Sequence, residues 1–164
     1  MQIDSPAALR APRNRVHPRA RQWWTIRALI GVAVLLVPQL VALMIAGNQW
    51  LVPAVVATVV LGAAYVVVMP RLRYQVHRWE ASPEAVYTLS GWLSREWRVA
   101  PLSRIQTIDT QRGPLQQLLR LATVTITTAS AAGPLKIDGL DAEDAAELAR
   151  DLTEATNRAP GDAT

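Results

Sequence analysis

Residues 28–70 read ALIGVAVLLVPQLVALMIAGNQWLVPAVVATVVLGAAYVVVMP, a run of 43 residues without one Asp, Glu, Lys, Arg or His. The hydrocarbon core of a bilayer takes about 20 apolar residues as a helix, so the run suits two spans and a tight turn, not one span or three. A purely soluble globule is excluded. The spans fall at about residues 26–46 and 51–69, within a hairpin at 23–70. Pro38 and Gln39 remove a backbone donor and place an amide at mid-membrane, which predicts a kink. Gln39 has no ionisable partner in either span, so an interhelical hydrogen bond fits it better than a transport path. Pro53 lies in the first turn of the second span, where a missing N–H costs little.

Ala54, Thr58 and Gly62 recur at four-residue spacing, as do Ala42 and Ala46 on the first span. Small side chains let helix backbones approach closely, so these stripes predict hairpin packing, with self-association as the sharper alternative. Trp23 and Trp24 precede the first span and Trp50 sits at the far turn. Indole rings favour the membrane–water boundary, and all three are read as interfacial anchors.

Charge sets the orientation. Residues 1–27 carry net +5, residues 71–120 net +4 and residues 121–164 net −5, whereas Gly47-Asn48-Gln49-Trp50 between the spans has no charge. Arg-rich flanks stay on the cytoplasmic side, so both termini are expected there, with the turn facing outward. Residues 1–22 mix Pro, Ala and Arg without an apolar period and read as a disordered basic tail. They are too long for a signal peptide's charged region. Arg outnumbers Lys sixteen to one and Ala and Val are abundant, the usage of a GC-rich genome and a hint of a bacterial source; with the apolar block, the expected location is the bacterial cytoplasmic (inner) membrane.

After Pro70 the apolar period becomes two. Strands are predicted at 74–80, 85–90, 95–99, 105–111 and 122–128, the last alternating Ala122, Val124 and Ile126 with three threonines, and Leu135 and Ile137 open another. A helical turn is expected at 101–104 and a short helix at 114–120. Asp141 then caps a helix whose apolar face is Ala145, Leu148, Ala149, Leu152 and Ala155. The fold class is α+β: a transmembrane hairpin, then a small bent sheet or partly open barrel at 71–158 capped by that helix, and a frayed end at 159–164.

Three motifs, PLSRIQTI at 101–108, QRGPL at 111–115 and LATVTITTA at 121–129, resemble the YdbS-like bacterial membrane proteins, which carry a bacterial pleckstrin-homology-like domain behind a two-helix anchor. The resemblance spans about residues 26–157 and implies a pleckstrin-homology-like fold and membrane attachment, with no catalytic residue to carry over. Its motif residues here, Arg104, Ile105, Gln106, Gly113, Pro114 and Leu115, read as structural: Ile105 and Ile108 pack beneath the sheet while Arg104 and Gln106 make backbone or solvent contacts. One departure is Arg120, which stands before the strand where many relatives have Gly.

The sequence offers no enzyme signature. With no Cys, disulfides, thiolate catalysis and Cys-ligated metals are excluded. His17 falls in the tail and His77 in a predicted, partly exposed strand, so no metal is expected. No Gly-x-Ser-x-Gly elbow occurs and Lys136, the sole lysine, follows no phosphate-binding loop, so no cofactor is expected. Nucleic acid is a poor partner because residues 71–164 are net −1.

Binding functions remain. Arg71, Arg73 and Arg78 follow the second span within reach of anionic lipid headgroups, each worth about 1 kcal/mol near such a surface. Topology-setting charge without lipid specificity explains Arg71 and Arg73 equally well. Trp92 and Trp97 are contact anchors for self-association or another membrane protein, although Trp97, in phase with Val99, reads as core. The expected function is a membrane-anchored cytoplasmic interaction or scaffold module; the alternative is an accessory subunit of a membrane transport or envelope-maintenance complex.

Overall fold

The computed structural model describes residues 11–129 and 133–158. The predicted tail at 159–164 and the first ten residues of the predicted tail at 1–22 lie outside the described residues. The rest of that first segment is not a tail: Asn14–Arg15 forms a short strand, β1, and helix α1 runs over Arg19–Ala46. A 3-10 turn, Gln49–Leu51, leads into helix α2, Val52–Val76. Gly47 ends α1 in a left-handed conformation and donates its N–H to the Leu43 carbonyl, and Asn48 accepts from the Trp50 N–H at 3.1 Å to set the turn.

Both helices are long and apolar enough to cross a membrane. At 1.5 Å per residue the 28 residues of α1 span about 42 Å, against about 30 Å of hydrocarbon. The excess lies at the charged ends, Arg19 to Arg27 on α1 and Arg71 to Val76 on α2. There the helices enter the folded domain.

Along the hairpin, half-buried Val32, Leu36, Gln39 and Leu43 of α1 face Val55, Thr58, Gly62 and Val66 of α2. Thr58 Oγ1 donates to Gln39 Oε1 at 3.0 Å, the interhelical bond expected of that amide. At Gly62 a Cβ would stand 2.8 Å from Val32 Cγ1, so α2 approaches α1 there more closely than alanine would allow. Ala42, Ala46 and Ala54 are exposed, which corrects their assignment to hairpin packing. The seam advances by three or four residues through Gln39 and Leu43 and leaves those alanines on its flank.

Sheet one is antiparallel in the order β1-β2-β3-β4, with β2 at Arg78–Ala81, β3 at Ala85–Gly91 and β4 at Arg95–Pro101. Sheet two is antiparallel, β5-β6-β7, over Ile105–Gln111, Leu121–Thr128 and Leu135–Asp141. A short helix α3, Pro114–Leu118, joins β5 to β6, and α4, Ala142–Arg158, closes the fold. The two sheets do not join into a closed barrel. Residues 74–76, predicted as strand, are the last turn of α2, held by Tyr74 packing inward and by the His77 N–H donating to the Arg73 carbonyl at 2.8 Å.

Two apolar clusters result. Val86, Leu102, Val124, Ile126, Ile137, Leu140, Leu148 and Leu152 form the first, with α4 packed on sheet two. The second belongs to the junction: Val16, Ala20, Trp23, Trp24 and Ala28 meet Met69 and Leu121. It exists because β7 admits α1 at Gly139, where φ is +78° and a Cβ would lie 2.5 Å from Ala20 Cβ. The His17 N–H donates to the Gly139 carbonyl at 3.0 Å, fixing the start of α1 on the sheet.

Candidate functional site

Where α2 leaves the uncharged block, its last turns carry Arg73 toward the domain. Arg73 Nη2 donates to Asp138 Oδ2 at 3.0 Å, and its guanidinium carbon lies 4.7 Å from the centre of the Trp24 ring. The other Asp138 oxygen accepts from Thr123 Oγ1 at 3.1 Å, and Thr123 Oγ1 accepts from Gln116 Nε2 at 2.8 Å. Gln116 Oε1 accepts the Gly113 N–H at 2.9 Å. A polar relay therefore links the QRGPL segment, through buried Gln116, to the base of the second span.

His77, next after α2, sits under the same aspartate. Its Nε2 accepts the Asp138 N–H at 3.3 Å, its ring meets Trp24 edge-on at 5.6 Å, and only 3% of its surface is exposed. Burial pulls its pKa down to about 4, against the pull of Asp138 upward, and Arg73 adds to the lowering. The expectation of a partly exposed strand histidine is corrected: the extension of α2 carries His77 into the junction.

A cleft of about 410 Å³ opens beside these residues, lined by Arg73, Thr88, Trp92, Arg98, Lys136 and Asp138 among others. Arg98 is committed to Glu96 at 2.6 Å and to the Pro134 carbonyl at 2.9 Å, so two of the three cationic side chains in the wall already have acidic partners. Trp92, at the β3–β4 tip, stacks edge-on against Tyr65 of α2 at 5.9 Å. Among the described residues no three His, Asp or Glu side chains come together to hold a metal ion. The arrangement is a charged, hydrogen-bonded frame that orients the domain on its helices.

The predicted site residues separate. Arg71 is exposed on α2; Arg73 is held by Asp138 and Trp24, not free beyond the span; Arg78 is half-buried in β2, opposite Leu89. Trp23 and Trp24 are buried in the junction, which corrects their reading as interfacial anchors, because α1 starts earlier than expected and docks on β7. Trp50 is exposed at the far turn. Trp97 and Val99 are 43% and 54% exposed, which corrects Trp97 as a core residue: on β4 the buried phase is that of Ala100.

The motif residues do structural work. The exposed Arg104 accepts the Ala129 N–H on its carbonyl at 3.3 Å, Ile105 and Ile108 pack on the main core, and Gln106 falls at a bulge in the β5–β6 pairing. Gly113 and Pro114 start α3, and Leu115 packs on the junction cluster. Sequence reasoning missed Gln116, Thr123 and Asp138 as one network. The one available signal was Asp138, an acid following the alternating Leu135 and Ile137.

A family model described as the bacterial PH domain matches residues 27–156. The UPF0699 transmembrane protein YdbS of Bacillus subtilis (strain 168) is 28% identical over 142 residues, covering 84% of this chain and 88% of that protein. No solved structure matches. Matched from the first long apolar helix to the closing helix, the chain belongs to the bacterial PH domain family, as a YdbS-like membrane protein.

Proposed function

We propose that the chain is a scaffold that holds a PH-like domain at fixed height and orientation on the cytoplasmic face of the bacterial inner membrane, where it binds a partner protein. Both helices cross the bilayer in this reading, the termini are cytoplasmic, and the protein works by binding and positioning, without catalysis. The observation that carries it is the exposed pair Trp97 and Val99 on β4, the edge strand of sheet one, on a domain whose second apolar cluster welds it to the helices. A Trp exposed beside a β-branched residue on a strand edge is the kind of surface that protein interfaces bury. Anionic headgroups add to the attachment through exposed Arg71.

Placing a photocrosslinking amino acid at position 97 of the full-length protein in its host membrane tests this. The expected result is a discrete adduct, with another membrane protein or a second copy, that is absent when the probe replaces exposed Gln111. Equal and diffuse labelling from both positions would refute it.

A further inference from the structure

We propose that the tip of the β3–β4 hairpin, Trp92 and Leu93, is a third point of membrane contact, inserted among the headgroups and upper acyl chains beside α2. The height of the tip is set by its neighbour. Trp92 packs on Tyr65 with ring centroids 5.9 Å apart and planes at 73°. Tyr65 lies six residues before Arg71, the first charge after the block, and so about 9 Å nearer the bilayer centre along the helix. On the other helix, Arg27 is the last charge before the block, and it lines the same groove as Tyr65. The indole is therefore level with the zone where the uncharged segments begin.

Composition points the same way. Leu93 is 85% exposed, as bare as Met44 in the lipid-facing part of α1, and it stands on a turn that makes no use of it for packing. Exposed Arg95 follows two residues later, placed so that its guanidinium stays among the phosphates while Leu93 is below them. An indole with an apolar body and one N–H donor favours that boundary. Lipid is the occupant that fits, because the tip already touches a helix surface that lipid must cover. The consequence is a tripod: α1, α2 and the hairpin tip fix the tilt of the domain as well as its height.

The inference rests on α2 crossing the bilayer, as in the proposed function, but not on a partner at Trp97. The 164-residue chain has no cysteine, so single thiols report cleanly. The L93C, S103C and V60C variants, each carrying an environment-sensitive fluorophore, are placed one copy per nanodisc of phosphatidylcholine and phosphatidylglycerol. Ser103 and Val60 are both exposed, on the domain and on α2 respectively. Expected is blue-shifted emission at L93C, quenched by lipids nitroxide-labelled high on the acyl chain several-fold more than at S103C. Because the dye is itself apolar, the unlabelled L93C thiol must also react more slowly than S103C with a water-soluble maleimide. Emission, quenching and reactivity at L93C equal to S103C, with V60C quenched, would overturn the insertion while leaving the spans intact. A blue shift at L93C without lipid quenching would overturn it as well, since protein would then cover the tip. Loss of quenching at V60C would overturn both this inference and the spanning reading.

Discussion

His77 stores a pH dependence in one side chain. An unfolded histidine protonates near its ordinary 6.5, whereas burial delays His77 to about 4. Between those values the unfolded chain binds more protons, so the contribution is complete above about 6.5 and is lost as the pH falls toward 4, on the order of 3 kcal/mol in all. The melting temperature in mild detergent is expected to fall from pH 7 to pH 4.5 more steeply for the wild type than for H77Q. Parallel curves would assign the acid sensitivity elsewhere. Arg120 is a second residue under strain: its φ is +54°, and its carbonyl accepts the Ala142 N–H at 3.0 Å, so the turn cannot relax without moving α4. A left-handed non-glycine residue costs about 1–2 kcal/mol, part of which glycine returns through unfolded-state entropy. R120G is expected to raise the melting temperature by about 2–4 °C while R120A does not. The departure from relatives at Arg120 was visible in the sequence; its backbone conformation was not, because only the fold says that this turn must be left-handed.

At the scale of elements, the apolar block and the alternation at 122–128 were legible because each is a long, strongly periodic signal. The ends of the helices were not. Charge marks where lipid stops, and a helix is free to continue past that point when protein covers its next turns. Trp23 and Trp24 illustrate this, since an indole before a span has the same sequence signature whether headgroups or Val16 and Leu121 surround it. Trp24→Ala is expected to cost about 3–5 kcal/mol, as for other fully enclosed tryptophans, with cooperative melting of the domain lowered accordingly. Within the hairpin, the Gln39–Thr58 bond is worth about 0.6–1.7 kcal/mol on double-mutant-cycle scales. A cycle over Q39L and T58V, read by detergent unfolding, should return coupling in that range; additive single effects would show that the two residues do not act as a pair.

For the molecule as a whole, the second apolar cluster is the junction that joins the domain to its helices. The relay from Gly113 through Gln116, Thr123 and Asp138 to Arg73 ties the sheet to α2, and Gly139 seats the start of α1. The links that close the junction, Arg73 to Asp138 and Ala20 to Gly139, join residues far apart in sequence, so no local pattern disclosed them, whereas the two apolar helices, the closing helix and the strands from β2 onward followed from local periods. One consequence is that residues 71–164 alone lack six of the seven buried residues of the second apolar cluster, among them Val16, Ala20 and Trp24, and keep Leu121. That fragment is expected to expose Leu121 and to aggregate or melt at lower temperature than the domain within the full chain.

All of this depends on a chain that threads the bilayer twice and returns. Single thiols introduced as N48C at the exposed turn and S103C on the domain, each in the cysteine-free background, are to be probed with a membrane-impermeant maleimide in intact cells and again after lysis. The account predicts that N48C reacts before lysis and S103C only after it. Labelling of S103C in intact cells, or of both sites only after lysis, would contradict it.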